Sequence, residues 1–329
     1  MPLDRYMALC LGHPQHGYYM TRDPFGQAGD FTTAPEISQI FGELIGVWVA
    51  KVWEHLGTPR HFALVELGPG RGTLMADVLR VLTKIPACAK AASIHLVETS
   101  PVLRAAQLER MPSATWHDSV ASLPALPTII LANEFFDALP IRQFERKSGQ
   151  SFERCVVATD SGLDINLLPT PARIPFSGDS VFEEPSIRDA MATHLGNHIS
   201  TVSGAALIID YGHLRSAPGD TLQAMKSHSY CNITDHAGEA DITSHVDFES
   251  LGRGFSKGGA KVARPMTQGH FLQAMGLEAR TRVLAAKASA SKQQTIITAS
   301  ERLANPAQMG ELFKVMAVTG GLNEPPYPF

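Results

Sequence analysis

Short runs rich in apolar residues alternate with amphipathic stretches along most of this chain. The runs that predict strands lie at residues 62–65, 94–97, 114–116, 128–131, 205–209, 260–263 and 312–318. The stretches between them carry apolar residues three and four positions apart, as at Leu74, Val78 and Leu82, which is the period of a helix. Strands that alternate with helices in this way predict an α/β fold with a mostly parallel sheet.

Three parts of the chain depart from this alternation. Residues 1–60 precede the first strand; within them, residues 12–38 read as a long ordered loop, and a helix with a wide apolar stripe follows from Ser38 onward. Residues 141–203 and about 214–258 read as insertions that contain turn-rich and hairpin-like patterns. We therefore expect residues 1–60 to cover a cleft and residues 61–329 to form the core, with both insertions on the substrate side.

The most informative stretch is FALVELGPGRGT, residues 62–73. Its apolar run ends in Glu66, and Gly68, Gly70 and Gly72 follow before the helical period begins. Glycine is required where the backbone has a positive φ or approaches a ligand closely, and such a turn after a parallel strand forms a ligand crevice. A dinucleotide fingerprint has the spacing G-x-G-x-x-G. The spacing here, G-x-G-x-G after an acidic residue, instead resembles motif I of class I S-adenosylmethionine (SAM) methyltransferases. A glycine-rich turn of another α/β protein is the alternative.

Acidic residues follow the second and third predicted strands. Glu98 ends the second strand, where a carboxylate can accept hydrogen bonds from both ribose hydroxyls of a nucleoside. Asp118 follows the third strand, where a carboxylate can accept a hydrogen bond from the exocyclic amine of adenine. A helix cap is the alternative for Asp118. We expect both side chains to line the same crevice as the glycine-rich turn.

The fourth predicted strand runs into the sequence NEFFDALP. Asn133, Glu134 and Asp137 would supply hydrogen-bond acceptors at the end of a central strand, while Phe135 and Phe136 exclude solvent. A transfer site requires this combination, so Asn133, Glu134 and Asp137 are our catalytic candidates. The alternative is a capped helix start with the two phenylalanines in the core. The N-P-P-Y/F element of DNA-amine methyltransferases is absent.

Composition and charge narrow the class of protein. The 329 residues include 32 acidic and 28 basic side chains, so the formal net charge of -4 provides no global basic field for nucleic acid. The four cysteines are scattered singly, which favours a reducing compartment over a disulfide framework or a structural zinc site. No apolar run approaches the roughly 20 residues that span a bilayer, and the first residues resemble neither a signal peptide nor a presequence. We expect a soluble cytoplasmic protein.

Histidine and aspartate are frequent in residues 228–247. No pair of them lies on a predicted helix, and they form no tight set of metal ligands. We therefore interpret this stretch as a polar wall that faces the substrate, and we predict no resident metal.

Seven motifs in order make the chain similar to the MidA-like family of SAM-dependent methyltransferases. They are GYYMTRDPFGQAGDFTTAPEIS (17–38), FGELIGVW (41–48), VELGPGRGTLMAD (65–77), HLVETSP (95–101), NEFFDALPIRQF (133–144), IIDYGH (208–213) and EADITSHVDF (239–248). They extend over nearly the whole chain, and they are more specific for the family than for its substrate.

The resemblance implies the class I SAM-methyltransferase fold, which is Rossmann-like, with a mostly parallel seven-stranded sheet and helices on both faces. It also implies SAM as cofactor and an N-terminal segment that lies over the crevice. On this basis the cofactor-binding candidates are Thr33, Glu66, Gly68, Gly70, Gly72, Glu98, Asp118 and Asn133. The substrate-binding candidates are Asp30, Phe31, Glu36, Phe135, Phe136, Asp210, Tyr211 and His245.

The resemblance also implies a substrate. The mitochondrial member of the family is an assembly factor of respiratory complex I that methylates an arginine in one of its subunits. By analogy we expect protein arginine N-methylation of a complex I subunit or a similar protein, with the chain a bacterial relative and a homodimer one option for its assembly. The rival hypotheses are a non-catalytic SAM-binding assembly chaperone and a small-molecule methyltransferase. A dinucleotide oxidoreductase is disfavoured by the glycine spacing.

Overall fold

The computed structural model describes residues 1–22 and 32–329, so the predicted substrate residues Asp30 and Phe31 lie outside the described residues. The helices of the described chain are α1 Leu3–Gly12, α2 Tyr18–Thr21, α3 Ala34–Ile37, α4 Gln39–His55, α5 Thr73–Leu82, α6 Pro86–Ala91, α7 Pro101–Arg110, α8 Ser186–Val202, α9 Phe248–Lys257, α10 Gln268–Ala274, α11 Leu277–Ala286 and α12 Ala290–Ala304. Its strands are β1 Phe62–Leu67, β2 Ala92–Val97, β3 Thr115–His117, β4 Thr128–Asn133, β5 Arg142–Lys147, β6 Gln150–Thr159, β7 Gly162–Pro169, β8 Ser180–Glu184, β9 Gly204–His213, β10 Gln223–Lys226, β11 Ser229–Cys231, β12 Asp241–Thr243, β13 Val246–Asp247, β14 Lys261–Val262, β15 Met266–Thr267 and β16 Phe313–Gly320.

The central sheet follows the order β14-β16-β9-β4-β1-β2-β3. The strands β3, β2, β1, β4 and β9 are parallel, whereas β16 is antiparallel to β9 and β14 is antiparallel to β16. The short strands β13 and β15 pair with β9 and β16. This sheet confirms the predicted Rossmann-like fold. The strand order reverses between β1 and β4, and a crevice opens at the carboxyl ends of parallel strands at such a point.

Helices pack on both faces of the central sheet. On one face, Trp48 and Phe41 of α4 are fully buried against side chains of β1, including Phe62 and Leu64. On the other face, α8 and α9 pack on the sheet, with Phe255 fully buried. Burying a large apolar side chain contributes roughly 1.5–3 kcal/mol. Because β1 is buried on both faces, its sequence reads as a continuous apolar run.

Two smaller sheets are attached to this core. A four-stranded sheet, in the order β7-β6-β5-β8, comes from the predicted insertion of residues 141–203, whereas α8 of the same segment packs on the central sheet. A three-stranded sheet, in the order β11-β10-β12, comes from the second predicted insertion and packs against α1 and α2. Within the two described ranges, no helix combines the length and apolarity needed to cross a bilayer.

Candidate active site

A cavity of about 600 Å³ lies at the carboxyl ends of β1, β2 and β4. Its walls come from the glycine-rich turn, from the ends of β2 and β4, from residues 32–36 and from the three-stranded sheet. The predicted site residues that line it are Thr33, Glu36, Glu66, Gly68, Gly70, Glu98, Asp118, Asn133, Glu134, Phe135, Asp137, Tyr211 and His245. Most of the sequence-predicted site is therefore gathered in one place.

The glycine-rich turn between β1 and α5 takes its shape from three left-handed glycines. Gly68, Gly70 and Gly72 have φ values of 58°, 53° and 76°, a region that side chains disfavour. A Cβ on Gly68 would lie 3.0 Å from the ring of Phe135, across the cavity wall. Gly72, a predicted cofactor residue, does not line the cavity, and a Cβ there would collide with Met111. The third glycine therefore allows helix packing rather than ligand contact.

Glu66, at the end of β1, carries a buried carboxyl group beside this turn. It is 3% exposed, and its Oε2 has no hydrogen-bond partner among the residues that the structure describes. Burial raises the pKa of Glu66 to about 8, against an opposing hydrogen bond from the Met75 amide and with a further contribution from Glu98. A buried oxygen without a partner is costly, and a cation bound in the cavity would satisfy it.

The raised pKa of Glu66 makes stability depend on pH. The folded state favours the protonated carboxyl group. The contribution of Glu66 to the stability of the folded state is therefore fully present below its ordinary pKa of 4.5 and is lost as the pH rises through about 8. We expect Glu66→Gln to remove this loss. Between pH 4.5 and about pH 8, the melting temperature of the ligand-free variant should therefore rise relative to that of the wild type. Thermal denaturation at a series of pH values measures the difference, with exposed Glu109→Gln as matched control. Parallel profiles for wild type and Glu66→Gln would contradict the assignment.

Glu98 is held at the end of β2 by the turn that follows it. Its Oε1 accepts hydrogen bonds from the amides of Thr99 and Ser100, both at 2.8 Å. Its Oε2 lies 3.3 Å from Nε2 of Gln107, which also donates to the carbonyl oxygen of Gly70 at 2.7 Å. Burial raises the pKa of Glu98, and these hydrogen bonds oppose the shift. Gln107 thus fixes the carboxyl group relative to the glycine-rich turn.

Asp118 lies at the rim of the cavity. Its side chain is 86% exposed and pairs with Arg104 at 2.6 Å, while Nε of Arg104 donates to the carbonyl oxygen of Glu98 at 2.8 Å. An exposed ion pair of this kind contributes little stability. Its effect is to place the Asp118 carboxylate near the end of β2.

Residues 32–37 close another side of the cavity. Thr33 is buried and precedes α3, and its carbonyl oxygen accepts from the amides of Glu36 and Ile37 at 2.9 and 3.1 Å. The Glu36 carboxylate accepts a hydrogen bond from the hydroxyl of Thr73 at 2.5 Å. Because Thr73 begins α5, this contact ties the N-terminal part of the chain to the glycine-rich turn.

The turn after β4, residues 134–139 and called the β4 turn below, is strained. Glu134 has a φ of 49°, in the left-handed region that non-glycine residues seldom adopt. Its amide donates to the carbonyl oxygen of Ile209 at 2.9 Å, and its Oε1 accepts from Nδ2 of Asn133 at 3.2 Å. Burial raises the pKa of Glu134 to about 8, and the charge of Asp137 adds to the shift. Strain of this kind costs of order 1–3 kcal/mol and is concentrated at functional sites.

Asp137 lies three residues further on in the same turn. Its Oδ2 accepts a hydrogen bond from the hydroxyl of Tyr211 at 2.6 Å, while its buried Oδ1 has no partner among the described residues. Burial raises the pKa of Asp137, and Tyr211 and Arg188 oppose that shift. His245 packs edge-on against Tyr211 with ring centroids 5.5 Å apart, and burial lowers its pKa.

Two predicted substrate residues lie beneath the cavity rather than in its wall. Asp210 is fully buried; its Oδ2 accepts from the amides of Phe136 and Asp137 at 3.0 and 3.2 Å, and its Oδ1 accepts from the amide of Tyr211 at 3.0 Å. Phe136 is also fully buried and packs against Phe255 in the core. Both residues therefore hold the β4 turn in place instead of facing a ligand.

The three-stranded sheet supplies the wall that sequence reasoning described only as polar. Ala224 and Ile242 lie on one face of this sheet and are buried against α1 and α2. Because side chains alternate along a strand, the residues next to them face the other way. Those that line the cavity are Gln223, Met225, Tyr230, Asp241 and Thr243. These strands are short, and the sequence has no signal for how they pair.

Arg188 of α8 is a further residue that the sequence did not single out. Its guanidinium group is buried, with the residue 2% exposed. It donates to the carbonyl oxygens of Asp137 and His245 at 2.8 Å, to that of Leu139 at 3.2 Å, and to the hydroxyl of Ser244 at 2.7 Å. Arg188 thus ties the β4 turn to the segment that follows β12.

The described lining of the cavity is strongly acidic. Its carboxyl groups belong to Glu36, Glu66, Glu98, Asp118, Glu134, Asp137 and Asp241. Arg71 is the one lysine or arginine side chain among the described lining residues. Glu66 and Glu134, with pKa values of about 8, are mostly protonated at neutral pH, and a bound cation would favour their charged form. A cleft that presents one sign of charge concentrates ligands of the opposite sign. The arrangement therefore suits cationic ligands.

Comparison with known proteins identifies similar chains over nearly the whole length. A family model described as "Putative S-adenosyl-L-methionine-dependent methyltransferase" matches residues 44–266. The chain is 38% identical to the mitochondrial protein arginine methyltransferase NDUFAF7 homolog of Drosophila melanogaster, over 98% of this chain and 82% of that protein. It is 34% identical to the mitochondrial protein arginine methyltransferase NDUFAF7 of Homo sapiens, over 95% of this chain and 78% of that protein.

Solved structures of similar proteins have the same fold. A Burkholderia thailandensis protein bound to S-adenosyl-homocysteine superposes with a TM-score of 0.84, at 26% identity over 98% of this chain and 89% of that one. A native crystal structure of a protein from the same organism superposes with a TM-score of 0.82, at 27% identity over 98% of this chain and 88% of that one. The fold that contains this cavity is therefore one that has been observed with bound S-adenosyl-homocysteine.

Proposed function

The chain belongs to this family of S-adenosyl-L-methionine-dependent methyltransferases, and from that premise we propose that it methylates an arginine side chain of a protein. The observation that carries the proposal is the acidic cavity, in which two carboxyl groups, those of the half-buried Glu134 and the buried Asp137, lie on one strained turn beside the glycine-rich turn. The similarity to proteins named protein arginine methyltransferase supports the same substrate class.

The residues around the glycine-rich turn suit SAM. The partnerless oxygen of Glu66 fits the ammonium group of its methionine part, and the buried carboxyl group of Glu98 fits its ribose hydroxyls. Asp118 at the rim would accept from the adenine amine. When bound, SAM supplies a methyl group on a positively charged sulfur, and S-adenosylhomocysteine is left after transfer.

The β4 turn suits a guanidinium group. An arginine side chain is always protonated and planar, with five N–H donors that match carboxylates in pairs. The free Oδ1 of Asp137 and the carboxyl group of Glu134 would bind these donors and hold one nitrogen toward the cofactor. Because the pKa of Glu134 is about 8 in the ligand-free protein, Glu134 is a stronger base than an ordinary carboxylate and would accept the proton that the nitrogen loses. Phe135 would exclude water from this part of the cavity.

The target protein is proposed by analogy alone. The resemblance to the MidA-like family implies a complex I subunit or a similar protein as substrate. A cytoplasmic location and either a monomer or a homodimer remain predictions, and the relatives named above are mitochondrial.

Transfer of labelled methyl from SAM tests the proposed function directly. Purified protein is incubated with labelled SAM and a lysate from a strain that lacks the gene, and the modified peptide is sequenced by mass spectrometry. We expect label on an arginine of one or a few proteins. Tight SAM binding with no labelled protein would favour a chaperone, and label only in small molecules would favour a small-molecule methyltransferase.

Glu98→Ala is expected to weaken SAM binding by about tenfold or more, because two hydrogen bonds to a charged group are lost. Calorimetric titration with SAM measures the change. Glu98→Gln is the matched variant, since it keeps an oxygen acceptor for the amides of Thr99 and Ser100 and so separates loss of the ribose contact from loosening of the turn. Unchanged affinity in Glu98→Ala would remove Glu98 from the ribose.

A further inference from the structure

A third carboxyl group, from a different element, lies within electrostatic reach of the β4 turn. Asp241 begins β12 in the three-stranded sheet, is 8% exposed and lines the same cavity. Burial raises the pKa of Glu134, and the charges of Asp137 and Asp241 both add to the shift. The three carboxyl groups therefore line one cavity although they come from separate parts of the chain.

A tyrosine holds the Asp241 carboxylate. The hydroxyl of Tyr19, on α2, donates to Oδ1 of Asp241 at 2.8 Å. Burial raises the pKa of Tyr19 well above its usual value, so the hydroxyl stays protonated and remains a donor. The β4 turn repeats this arrangement, because the hydroxyl of Tyr211 donates to Asp137 at 2.6 Å. Each tyrosine restricts the rotation of one carboxylate.

We propose that Asp241, positioned by Tyr19, holds one edge of the substrate guanidinium while Glu134 and Asp137 hold another, so that the cavity selects arginine over lysine. This inference rests on the proposed function, whose substrate class it deepens. A guanidinium group has N–H donors on more than one edge of a rigid plane, so carboxylates on two elements can bind it together. A lysine ammonium is a compact charge with three donors and cannot span both groups in this way.

The surroundings of the carboxyl groups fit a bound cation of this shape. Arg188 donates to the backbone carbonyl oxygen of Asp137 from beneath the cavity. Burial raises the pKa of the Asp137 side chain, and the positive charge of Arg188 opposes that shift. It compensates one negative charge without entering the cavity wall. Thr243, two residues after Asp241 on the same face of β12, also lines the cavity. The three-stranded sheet thus presents the polar side chains of Asp241 and Thr243 to the cavity.

Two small probes test the inference without depending on turnover. N-acetyl-arginine amide and N-acetyl-lysine amide are titrated by ligand-observed NMR onto protein saturated with S-adenosylhomocysteine. We expect the wild type to bind the arginine probe about tenfold more tightly, in keeping with the strength of charged hydrogen bonds. Asp241→Asn should lose this preference by weakening the arginine probe alone, with the calorimetric affinity for S-adenosylhomocysteine unchanged. Asp160→Asn, an exposed aspartate on a distant turn, is the matched control.

Tyr19→Phe keeps the carboxylate but removes the hydroxyl that positions it. We expect this variant to reduce the preference for the arginine probe only partly, which also provides a test if Asp241→Asn fails to fold. A wild type that binds both probes equally, or an Asp241→Asn or Tyr19→Phe variant with the full preference, would overturn the inference. Absence of any labelled protein in the lysate would count against the proposed function instead, because probe selectivity does not require transfer.

Discussion

Glu134→Gln is expected to abolish methyl transfer while leaving SAM binding intact. The substitution keeps the size of the side chain and its place on the strained turn, but it removes the group that would accept the proton. General base catalysis contributes roughly 10²–10⁴-fold to a rate, and loss of the charge also weakens the grip on the guanidinium group. Single-turnover transfer to the protein identified from the lysate measures the rate, and calorimetry measures SAM affinity.

The control for this prediction is a glutamate away from the cavity. Glu109 is exposed on α7, so Glu109→Gln should transfer at the wild-type rate. The pH dependence of transfer at sub-saturating SAM and substrate gives a second readout, because rates under that condition follow the ionisation of the free enzyme. Burial raises the pKa of Glu134 to about 8 there, so the wild-type rate should rise with pH through that value. Glu134→Gln should lack this rise in any residual activity. Normal turnover by Glu134→Gln on its true substrate would show that the carboxylate assignment is wrong.

Arg188→Met is expected to destabilise the fold by about 3–5 kcal/mol, the cost of removing one partner from a buried charged network. The variant removes the Arg188 donor from the carbonyl oxygens of Leu139 and His245, and it leaves that of Asp137 with only the amide of Ser244 as donor. It also removes the positive charge that lowers the pKa of the fully buried Asp210 against the effect of burial. Urea denaturation of the ligand-free protein measures the free energy of unfolding.

Two further variants separate charge from geometry in this prediction. Arg188→Lys keeps the charge but loses the planar fork, so we expect an intermediate loss of stability. Arg215→Met is the matched control, because the Arg215 side chain is 86% exposed and pairs only at the surface. A loss in Arg188→Met no larger than in Arg215→Met would mean that the hydrogen bonds of Arg188 do not hold the β4 turn to the segment after β12.

The positions of the proposed cofactor residues follow from local sequence patterns. Glu66 and Glu98 each end an apolar run, and parallel strands bring their carboxyl ends to one edge of the sheet. The glycines after Glu66 require a turn, because side chains disfavour their positive φ values. Glu134 and Asp137 were predictable for the same reason, as polar residues directly after a buried central strand.

The roles of several residues were decided only when distant elements met. Asp210 and Phe136 stand beside the catalytic candidates in the sequence, yet burial turns one into an anchor for backbone amides and the other into a core residue. Tyr19 and Asp241 are separated by 222 positions and meet across α2 and β12. No local period encodes such a meeting.

The sequence by itself thus determined the parallel sheet, the glycine-rich turn and the row of acidic strand ends, because each depends on neighbours within a few residues. Only the tertiary structure decided which carboxyl groups face the cavity and which support it. Arg188 shows the reason: its five hydrogen bonds join the β4 turn to the segment after β12, and they exist only once α8 has packed on the sheet. Burial and pairing across long sequence separations set the charge of this site, and neither can be read from a local pattern.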